Sequence, residues 1–187
     1  MAGETLLTFA EMLAALPDNS AQLIAPVNMR DVVIANANDI AFLSDSDPFT
    51  LPITAGVPVS VLGALPTPDL ITNRYVLDGN QQLVADWGAV TVNPGTTRIL
   101  RLQAQMWGNK EGTQTDTYEF SITVGGTQAG RTVNVELGVQ PIGIGLTVDV
   151  LYDHSLALPI DLTVTGIGTG DDLNIEDFSF AAIGILI

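Results

Sequence analysis

The sequence contains no cysteine, and only 6 of its 187 residues are lysine or arginine. Without cysteine the chain can form neither disulfides nor thiolate metal sites, and it has no thiol nucleophile. It also lacks an uninterrupted apolar run of roughly 18 residues, which is the length that a membrane-spanning helix needs. These absences exclude disulfide scaffolds, thiolate metal proteins and thiol enzymes.

The scarcity of basic residues also restricts the partners. Asp and Glu number 21, so the formal net charge is -15. Proteins that bind a phosphate backbone use Lys and Arg to release its counterions, and an anionic bilayer attracts the same side chains. We therefore expect neither nucleic acid nor membrane among the partners.

Apolar residues, in contrast, are abundant. They make up 47% of the sequence, whereas charged residues make up only 14%. One domain of 19.7 kDa has limited interior volume for so much apolar surface. Excess apolar surface without a membrane span indicates burial between subunits, so we expect an obligate oligomer.

The first part of the chain has a helical pattern. Pro17 and the polar turn 18–20 end this pattern, and a second helical piece containing Arg30 is predicted to begin near Pro26. Apolar residues recur at three- and four-residue spacing, which places them on one helical face: Leu6, Phe9, Leu13 and Leu16. We predict a short α-helical segment over residues 1–38. Its apolar face would dock the protein onto a partner or pack on the chain's own β-domain.

Residues 39–48 are polar and rich in turn-forming side chains. They are interpreted as a linker, with room for a short strand at 40–43. From Phe49 onward the pattern is of strands and turns. Beyond an interrupted edge strand at 50–62, strands are predicted at 75–77, 82–85, 98–107, 117–124, 131–139, 145–152, 158–166 and 173–187. The predicted class is mainly β, an antiparallel jelly-roll β-sandwich over residues 49–187.

Alternation within the strands predicts which faces are buried. In 117–124 the apolar residues Tyr118, Phe120, Ile122 and Val124 share one face, and polar residues occupy the other. The last strand instead offers apolar groups to both faces, among them Ile183, Ile185 and Ile187. A strand that is apolar on both sides should be buried on both sides, so we predict that these three residues contribute to a subunit interface.

Catalysis has little support in the sequence. The single histidine, His154, lies between Asp153 and Ser155, but three consecutive residues cannot form a catalytic triad. Turn chemistry is the better interpretation, and we expect the protein not to be an enzyme.

No metal or cofactor is expected. Oxygen ligands for Ca²⁺ could come from Asp171, Asp172, Asn174, Glu176 and Asp177, or from the smaller pair Asp45 and Asp47. Neither group has the ligand spacing of an EF-hand, so solvated loop carboxylates are favoured. The Gly-rich stretches at 125–126 and 166–170 are not followed by a lysine and a helix, so they are interpreted as turns rather than phosphate loops.

Four aromatic residues are candidates for a sugar-binding surface, because an aromatic face can stack on a carbohydrate. They are Trp87, Trp107, Tyr75 and Tyr118. Most such residues belong to a core or an interface, and that is the favoured interpretation.

The stretch 18–33 resembles a short element of tailed-bacteriophage virion proteins. It has a polar turn at 18–20, a proline step at Pro26 and a helix containing Arg30 and Asp31, with Ala25 where Thr is usual. In that group the element often precedes a β-rich trimeric domain of a fibre, spike or head decoration. The resemblance implies attachment through the N-terminal segment.

The layout from about Tyr75 to Ile187 resembles a jelly roll of the tumour-necrosis-factor or C1q type. It has a Tyr-Glu-Phe-Ser-Ile strand, a Gly-Gly turn and an apolar final strand. Proteins of this type form trimers around a three-fold axis through apolar sheet edges and faces. The resemblance therefore implies a homotrimer.

Together these resemblances predict a structural virion protein that binds itself and phage capsid or tail proteins. The N-terminus has no basic region before an apolar stretch, so we expect synthesis and assembly in the host cytoplasm and a final place in the virion. The alternative is a trimeric carbohydrate- or receptor-binding module that contacts a host surface glycan.

Overall fold

The computed structural model describes residues 5–6, 40–72, 74–86, 91–92 and 96–185. Two three-residue 3-10 turns, Leu62–Ala64 and His154–Leu156, interrupt a succession of strands. The strands are β1 (Thr5–Leu6), β2 (Ile40–Asp45), β3 (Phe49–Leu51), β4 (Val59–Ser60), β5 (Asp69–Thr72), β6 (Tyr75–Leu77), β7 (Leu83–Ala85), β8 (Thr91–Val92), β9 (Thr97–Lys110), β10 (Asp116–Val124), β11 (Thr127–Leu137), β12 (Ile142–Asp153), β13 (Ile160–Ile167) and β14 (Leu173–Ile185).

Two antiparallel sheets contain most of these strands. Sheet 1 has the order β12-β9-β14-β2-β5, with β3 also paired to β14. Sheet 2 has the order β11-β10-β13-β7-β6, with β4 also paired to β13. Their inner faces share one apolar core, so the fold is a β-sandwich.

Strict alternation of side chains explains why these segments form a sandwich. In β9, Leu100, Leu102 and Ala104 are fully buried, and the residues between them face outward. In β10 of the opposite sheet, Tyr118 and Phe120 are also fully buried. Each strand therefore contributes one apolar side to the layer between the sheets, as its period of two requires.

The last strand lies in the middle of sheet 1. β14 pairs with β9 on one side and with β2 on the other. Its inward residues Phe178 and Phe180 are buried in the core, whereas Ile183 is half-buried on the outer face. Ile185 ends the strand, and Ile187 lies outside the described residues. Both faces of this strand thus carry apolar side chains, and only the inner face is covered within the described residues.

The mainly β class predicted from the sequence is confirmed. Each of the six long strands expected after residue 97 is present, with ends within a few residues of the prediction. The expected hairpin is formed by β6 and β7, and Asp78 accepts the backbone N–H groups of Asn80 and Gln82 in its turn. At the β10–β11 turn, Gly125 and Gly126 have φ of +59° and +75°, as a two-residue type I′ hairpin turn requires.

The segment expected to be a linker differs from that expectation. β2 occupies residues 40–45 and pairs with β14 and β5, so it is an interior strand of sheet 1. Its alternation explains the difference, because Ala41, Leu43 and Asp45 point inward and are buried. The short strand that the sequence allowed at 40–43 is thus present, and it extends to Asp45.

The N-terminal helix is not present at its first turn. Thr5–Leu6 forms a two-residue strand that pairs in parallel with Thr91–Val92. The other residues of the predicted docking face and its second helical piece lie outside the described residues: Phe9, Leu13, Leu16 and Arg30. The helix remains a prediction for that stretch. No helix among the residues described here is long and apolar enough to cross a bilayer.

Replacing a core aromatic residue tests this packing. Phe120→Ala should lower the free energy of unfolding by about 3–5 kcal/mol, because it leaves a cavity between the two sheets. Glu119→Ala, its neighbour on the outer face, should change that energy by less than about 1 kcal/mol. Chemical denaturation at one fixed protein concentration measures both; equal losses would contradict the assignment of inner and outer faces.

Candidate functional site

The outer face of sheet 1 is apolar near the end where β9 begins. Strand pairing aligns its outward side chains in rows that cross the sheet from β12 to β5. Three successive rows contain the apolar residues Leu151 and Ile99, then Ile183 and Ile40, then Ala181, Phe42 and Ile71. We call these seven residues the apolar face.

Several side chains of the apolar face are widely open to water. Ile71 and Leu151, which lie on the two edge strands, are each 71% exposed. Phe42 and Ile40 between them are 41% and 38% exposed. Exposed apolar area is unfavourable by about 25 cal/mol per Å² relative to burial. The other positions of these rows on β12 and β9 are polar: Asp149, Arg101, Thr147 and Gln103. A group of exposed apolar side chains drawn from five strands is typical of a surface that another protein covers.

One ion pair lies within the apolar face. Arg101 donates two hydrogen bonds to Asp149, from Nε to Oδ1 at 2.8 Å and from Nη2 to Oδ2 at 2.9 Å. Hydrogen bonding to Arg101 lowers the pKa of Asp149, and the same contact raises the pKa of Arg101. Because each charge meets its opposite in a planar bidentate contact, the pair adds no net charge to the surface.

The outer face of sheet 2 is polar by comparison. Its strands β10 and β13 present Thr117, Glu119, Ser121, Thr123, Thr163 and Thr165 outward. The hydroxyls of Ser121 and Thr163 hydrogen-bond to each other at 2.9 Å. Ile167, at the end of β13, is 49% exposed, and Val76 on the edge strand β6 is 41% exposed and pairs with Val84. The polar surface of sheet 2 is therefore that of β10 and β13, and fewer large apolar side chains are exposed there than on sheet 1.

The interface residues predicted from the sequence are distributed unevenly. Ile183 lies on the apolar face, as a contact with another chain requires. Ile185 follows it on the same strand, in register with Ile99. The alternation pattern of the sequence did not predict Ile71 and Leu151, which are the two most exposed members of the apolar face. Neither β5 nor β12 is apolar on both sides, and only strand pairing brings these two residues into one surface.

A shallow groove lies further along the outer face of sheet 1, towards the end of β9. It has a volume of about 360 Å³ and is bordered by Trp107, Gln105, Asp177 and Ser179. The indole of Trp107 is 48% exposed. Of the four aromatic residues considered for sugar binding, Trp107 is accessible, Tyr75 and Tyr118 are buried in the core, and Trp87 lies outside the described residues.

Glycines and a β-bulge shape this groove. Gly143 and Gly145 face it from β12, in register with Trp107 and Gln105. A Cβ on Gly143 would stand 3.1 Å from two carbons of the Trp107 ring, so the indole leans across this glycine. The register between β14 and β9 shifts between Ile175 and Asp177, and this bulge sets Asp177 directly opposite Trp107.

His154 does not assemble a catalytic group with its neighbours. The Asp153 carboxylate accepts hydrogen bonds from the backbone N–H of Ser155 at 2.9 Å and from its hydroxyl at 2.6 Å. The ring of His154 is buried and stands edge-on to Tyr152, with 5.0 Å between ring centroids. Burial also raises the pKa of Tyr152 to about 12. Asp153 and Ser155 thus form the start of a 3-10 turn, as the turn interpretation predicts.

Several of the acidic residues considered for Ca²⁺ bind other protein groups. Asp45 accepts the backbone N–H groups of Asp47 and Thr67, and the Asp47 carboxylate accepts the Thr67 hydroxyl. Asp172 accepts the N–H of Ile53 at 2.9 Å. Within the described residues, no three His, Cys, Asp or Glu side chains are grouped so as to hold a metal ion. These carboxylates fix loops in place.

The buried Lys110 and two partly exposed aspartates form an ion cluster where the sheets meet. The Lys110 side chain is 1% exposed, and its amine donates hydrogen bonds to Asp116 and, at 2.6 Å, to Asp171. The Thr169 hydroxyl donates to Asp116, and the Tyr118 hydroxyl donates to the carbonyl of Asp171. Hydrogen bonding to Lys110 lowers the pKa of Asp116 and raises that of the lysine. The cluster ties β9, β10 and the β13–β14 loop together.

A second buried carboxylate, Asp161, lies in sheet 2. It accepts the Ser60 hydroxyl at 2.9 Å and the Gln82 amide at 3.0 Å. Burial raises its pKa, and these hydrogen bonds partly oppose the increase. A raised pKa means that its contribution to stability is greatest at low pH and falls as the pH rises through the folded-state pKa.

Comparison with known proteins supplies likenesses of fold. No protein-family model matches the chain, and no curated protein matches its sequence. The PRD1 vertex protein P5 aligns with a TM-score of 0.42 and 10% identity, over 80% of this chain and 73% of that one.

Two further structures show the range of the likeness. The VP2 subviral particle of infectious bursal disease virus has a TM-score of 0.41 and 11% identity, and the alignment covers 80% of this chain and 33% of that one. Dimeric latent PorU from Porphyromonas gingivalis has a TM-score of 0.37 and 9% identity, covering 80% and 13%. The chain thus spans about a third of the VP2 chain and about an eighth of the PorU chain. Viral and non-viral proteins are both similar at this level, so the likeness does not select a function.

The ion cluster gives a prediction about pH. Asp116→Asn should destabilise the protein at pH 7, because it removes a negative charge beside the buried amine of Lys110. Because the pKa of Asp116 is lowered in the folded state, its contribution to the free energy of unfolding is fully present above its unfolded-state pKa of about 3.9. That contribution is lost as the pH falls through the folded-state pKa. The stability difference between variant and parent should therefore shrink below about pH 4.

Urea denaturation at a series of pH values measures this difference. Asp69→Asn, at an exposed position on β5, is the control and should have little effect at any pH. A difference for Asp116→Asn that stays constant from pH 7 to pH 3 would contradict the role given to the cluster.

Proposed function

We propose that this chain is a structural protein of a virus particle, of the head-decoration, fibre or spike kind found in tailed phages. It forms a homotrimer through the apolar face, and its N-terminal segment attaches the trimer to capsid or tail proteins. It works by assembly rather than by catalysis. The observation that carries the proposal is the apolar face, because a group of exposed apolar side chains on one face of a sheet is typical of a protein interaction site.

The β-sandwich of the proposed protein is a jelly roll. Eight principal strands are divided equally between the sheets. β2, β14, β9 and β12 are neighbours in sheet 1, while β7, β13, β10 and β11 are neighbours in sheet 2 opposite them. This order supports a pair of interlocked Greek keys, the arrangement of viral capsid jelly rolls.

The position of β2 supports attachment through the N-terminal segment. Residues 1–39 lead directly into Ile40, which belongs to the apolar face. The chain that contains the virion-like stretch 18–33 is therefore joined to the domain at a residue of the proposed subunit contact.

Solution mass tests the homotrimer. The purified protein should have a mass near three times 19.7 kDa by light scattering. Ile71→Ser and Leu151→Ser should each reduce the mass towards that of one chain, because they place a hydroxyl where the apolar face is buried. Both residues are 71% exposed in the single chain, so the fold itself should tolerate the change.

Ile167→Ser is the matched control, since it makes the same chemical change on the polar outer face of sheet 2. Its mass should equal that of the parent protein. A monomeric parent, or equal effects of Ile71→Ser and Ile167→Ser, would overturn the proposed interface.

Truncation tests the attachment. A chain that begins at Asp39 keeps β2 complete, and we expect it to fold and to keep the mass of the parent. It should fail to co-sediment with particles assembled in its absence, because it lacks the predicted apolar stripe of Leu6, Phe9, Leu13 and Leu16. Full co-sedimentation of the truncated chain would show that attachment uses another surface.

The alternative function, a trimeric carbohydrate- or receptor-binding module, is favoured by one separate observation. The groove beside Trp107 lies on the same outer face as the apolar residues but at the far end of β9. Its lining combines the Trp107 indole and the polar side chains of Gln105, Asp177 and Ser179 with Met106 and Ile144.

A further inference from the structure

We infer that the groove beside Trp107 is a binding site for a neutral saccharide. The inference does not depend on the trimer, and it concerns the part of sheet 1 that adjoins the apolar face towards the end of β9. It rests on the exposed indole, on the glycines opposite it and on the polar groups around the rim.

The exposure of Trp107 distinguishes it from the aromatic residues of the core. Tyr75, Tyr118, Tyr152, Phe120, Phe178 and Phe180 are all less than 2% exposed, whereas Trp107 is 48% exposed. A broad indole face that is open to water offers its π-surface to the axial C–H groups of a pyranose ring. Because the indole leans over Gly143, the strand beneath supports it and its orientation is set before a ligand arrives.

Gly145 of β12 keeps the groove open, whereas Gly143 makes room for the Trp107 indole. Glycine inside a strand is unfavourable by roughly 0.5–1 kcal/mol relative to alanine, and it often marks a place where a ligand approaches closely. At Gly145 the nearest atom to an added Cβ is the Ala104 carbonyl oxygen at 4.0 Å, so a larger side chain would fit the strand. Strand packing therefore does not require glycine here, and an open groove does supply a reason for it.

The rim has the groups that orient hydroxyls. Gln105 offers an amide, Asp177 a carboxylate and Ser179 a hydroxyl, all on the outer face of neighbouring strands. Together they donate and accept hydrogen bonds in the mixed pattern that sugar hydroxyls need. The residues that line the groove, all of them described, include one carboxylate and no Lys or Arg. This charge favours a neutral saccharide over a sialylated, sulfated or phosphorylated one.

Calorimetric titration of the full chain with neutral oligosaccharides ending in glucose, galactose or mannose tests the inference, with sialylated forms as comparators. At least one neutral sugar should bind more tightly than its sialylated form. Trp107→Ala should weaken that binding at least about tenfold, because the stacking face is lost. Trp107→Phe, which keeps an aromatic ring, should weaken it less.

Gly145→Val separates loss of the site from loss of the fold. Valine favours strand conformation, so thermal stability should be retained or increased, while its branched side chain occupies the groove and should abolish binding. Leu151→Ser changes the apolar face and should leave the saccharide affinity within about twofold of the parent, whatever it does to the solution mass.

Two results would overturn the inference. One is the absence of binding by every neutral sugar up to about 10 mM, a concentration at which even an interaction worth about 3 kcal/mol is detectable. The other is a change of solution mass in Trp107→Ala without any change in saccharide binding, which would make the groove a subunit contact. Neither result bears on Ile71→Ser, so the proposed trimer and the saccharide site can fail independently.

Discussion

The burial of one apolar layer between two sheets is the constraint on which the rest of this structure depends. Each strand can turn only alternate residues inward, so Leu102, Phe120 and Phe180 reach the core at the expense of their neighbours, which must face out. Core packing does not constrain which residue types occupy the outward positions. The outer face of sheet 1 carries the apolar face, whereas β10 and β13 of sheet 2 present polar residues.

Sheet 1 divides its outer face along the length of β9. Aliphatic side chains occupy the rows near the start of that strand, and an indole with polar neighbours occupies the row near its end. The row of Gly145, Gln105, Ser179, Ser44 and Asp69 lies next to the apolar rows, and its first three residues line the groove. One sheet thus carries an apolar surface and a polar groove in adjacent rows.

Period-two alternation was sufficient to predict the mainly β class and the long strands from the sequence, because strands such as Thr117–Val124 carry their inner and outer faces in plain order. It was not sufficient for β2, whose buried Asp45 accepts backbone N–H groups and so looks polar in sequence while lying inside. The apolar face escaped prediction for a different reason. Phe42, Ile71 and Leu151 become neighbours only through pairing across the sheet, which a single sequence does not reveal.

Lys110 is the only lysine in the sequence, and its amine is enclosed between Asp116 and Asp171. The folded domain consequently presents no lysine amine to solvent. Reagents that label or cross-link lysines will pass over the native surface and react with this side chain only when the ion cluster opens. The rate of acylation at Lys110, measured by mass spectrometry, therefore reports how readily the structure opens at the junction of the two sheets.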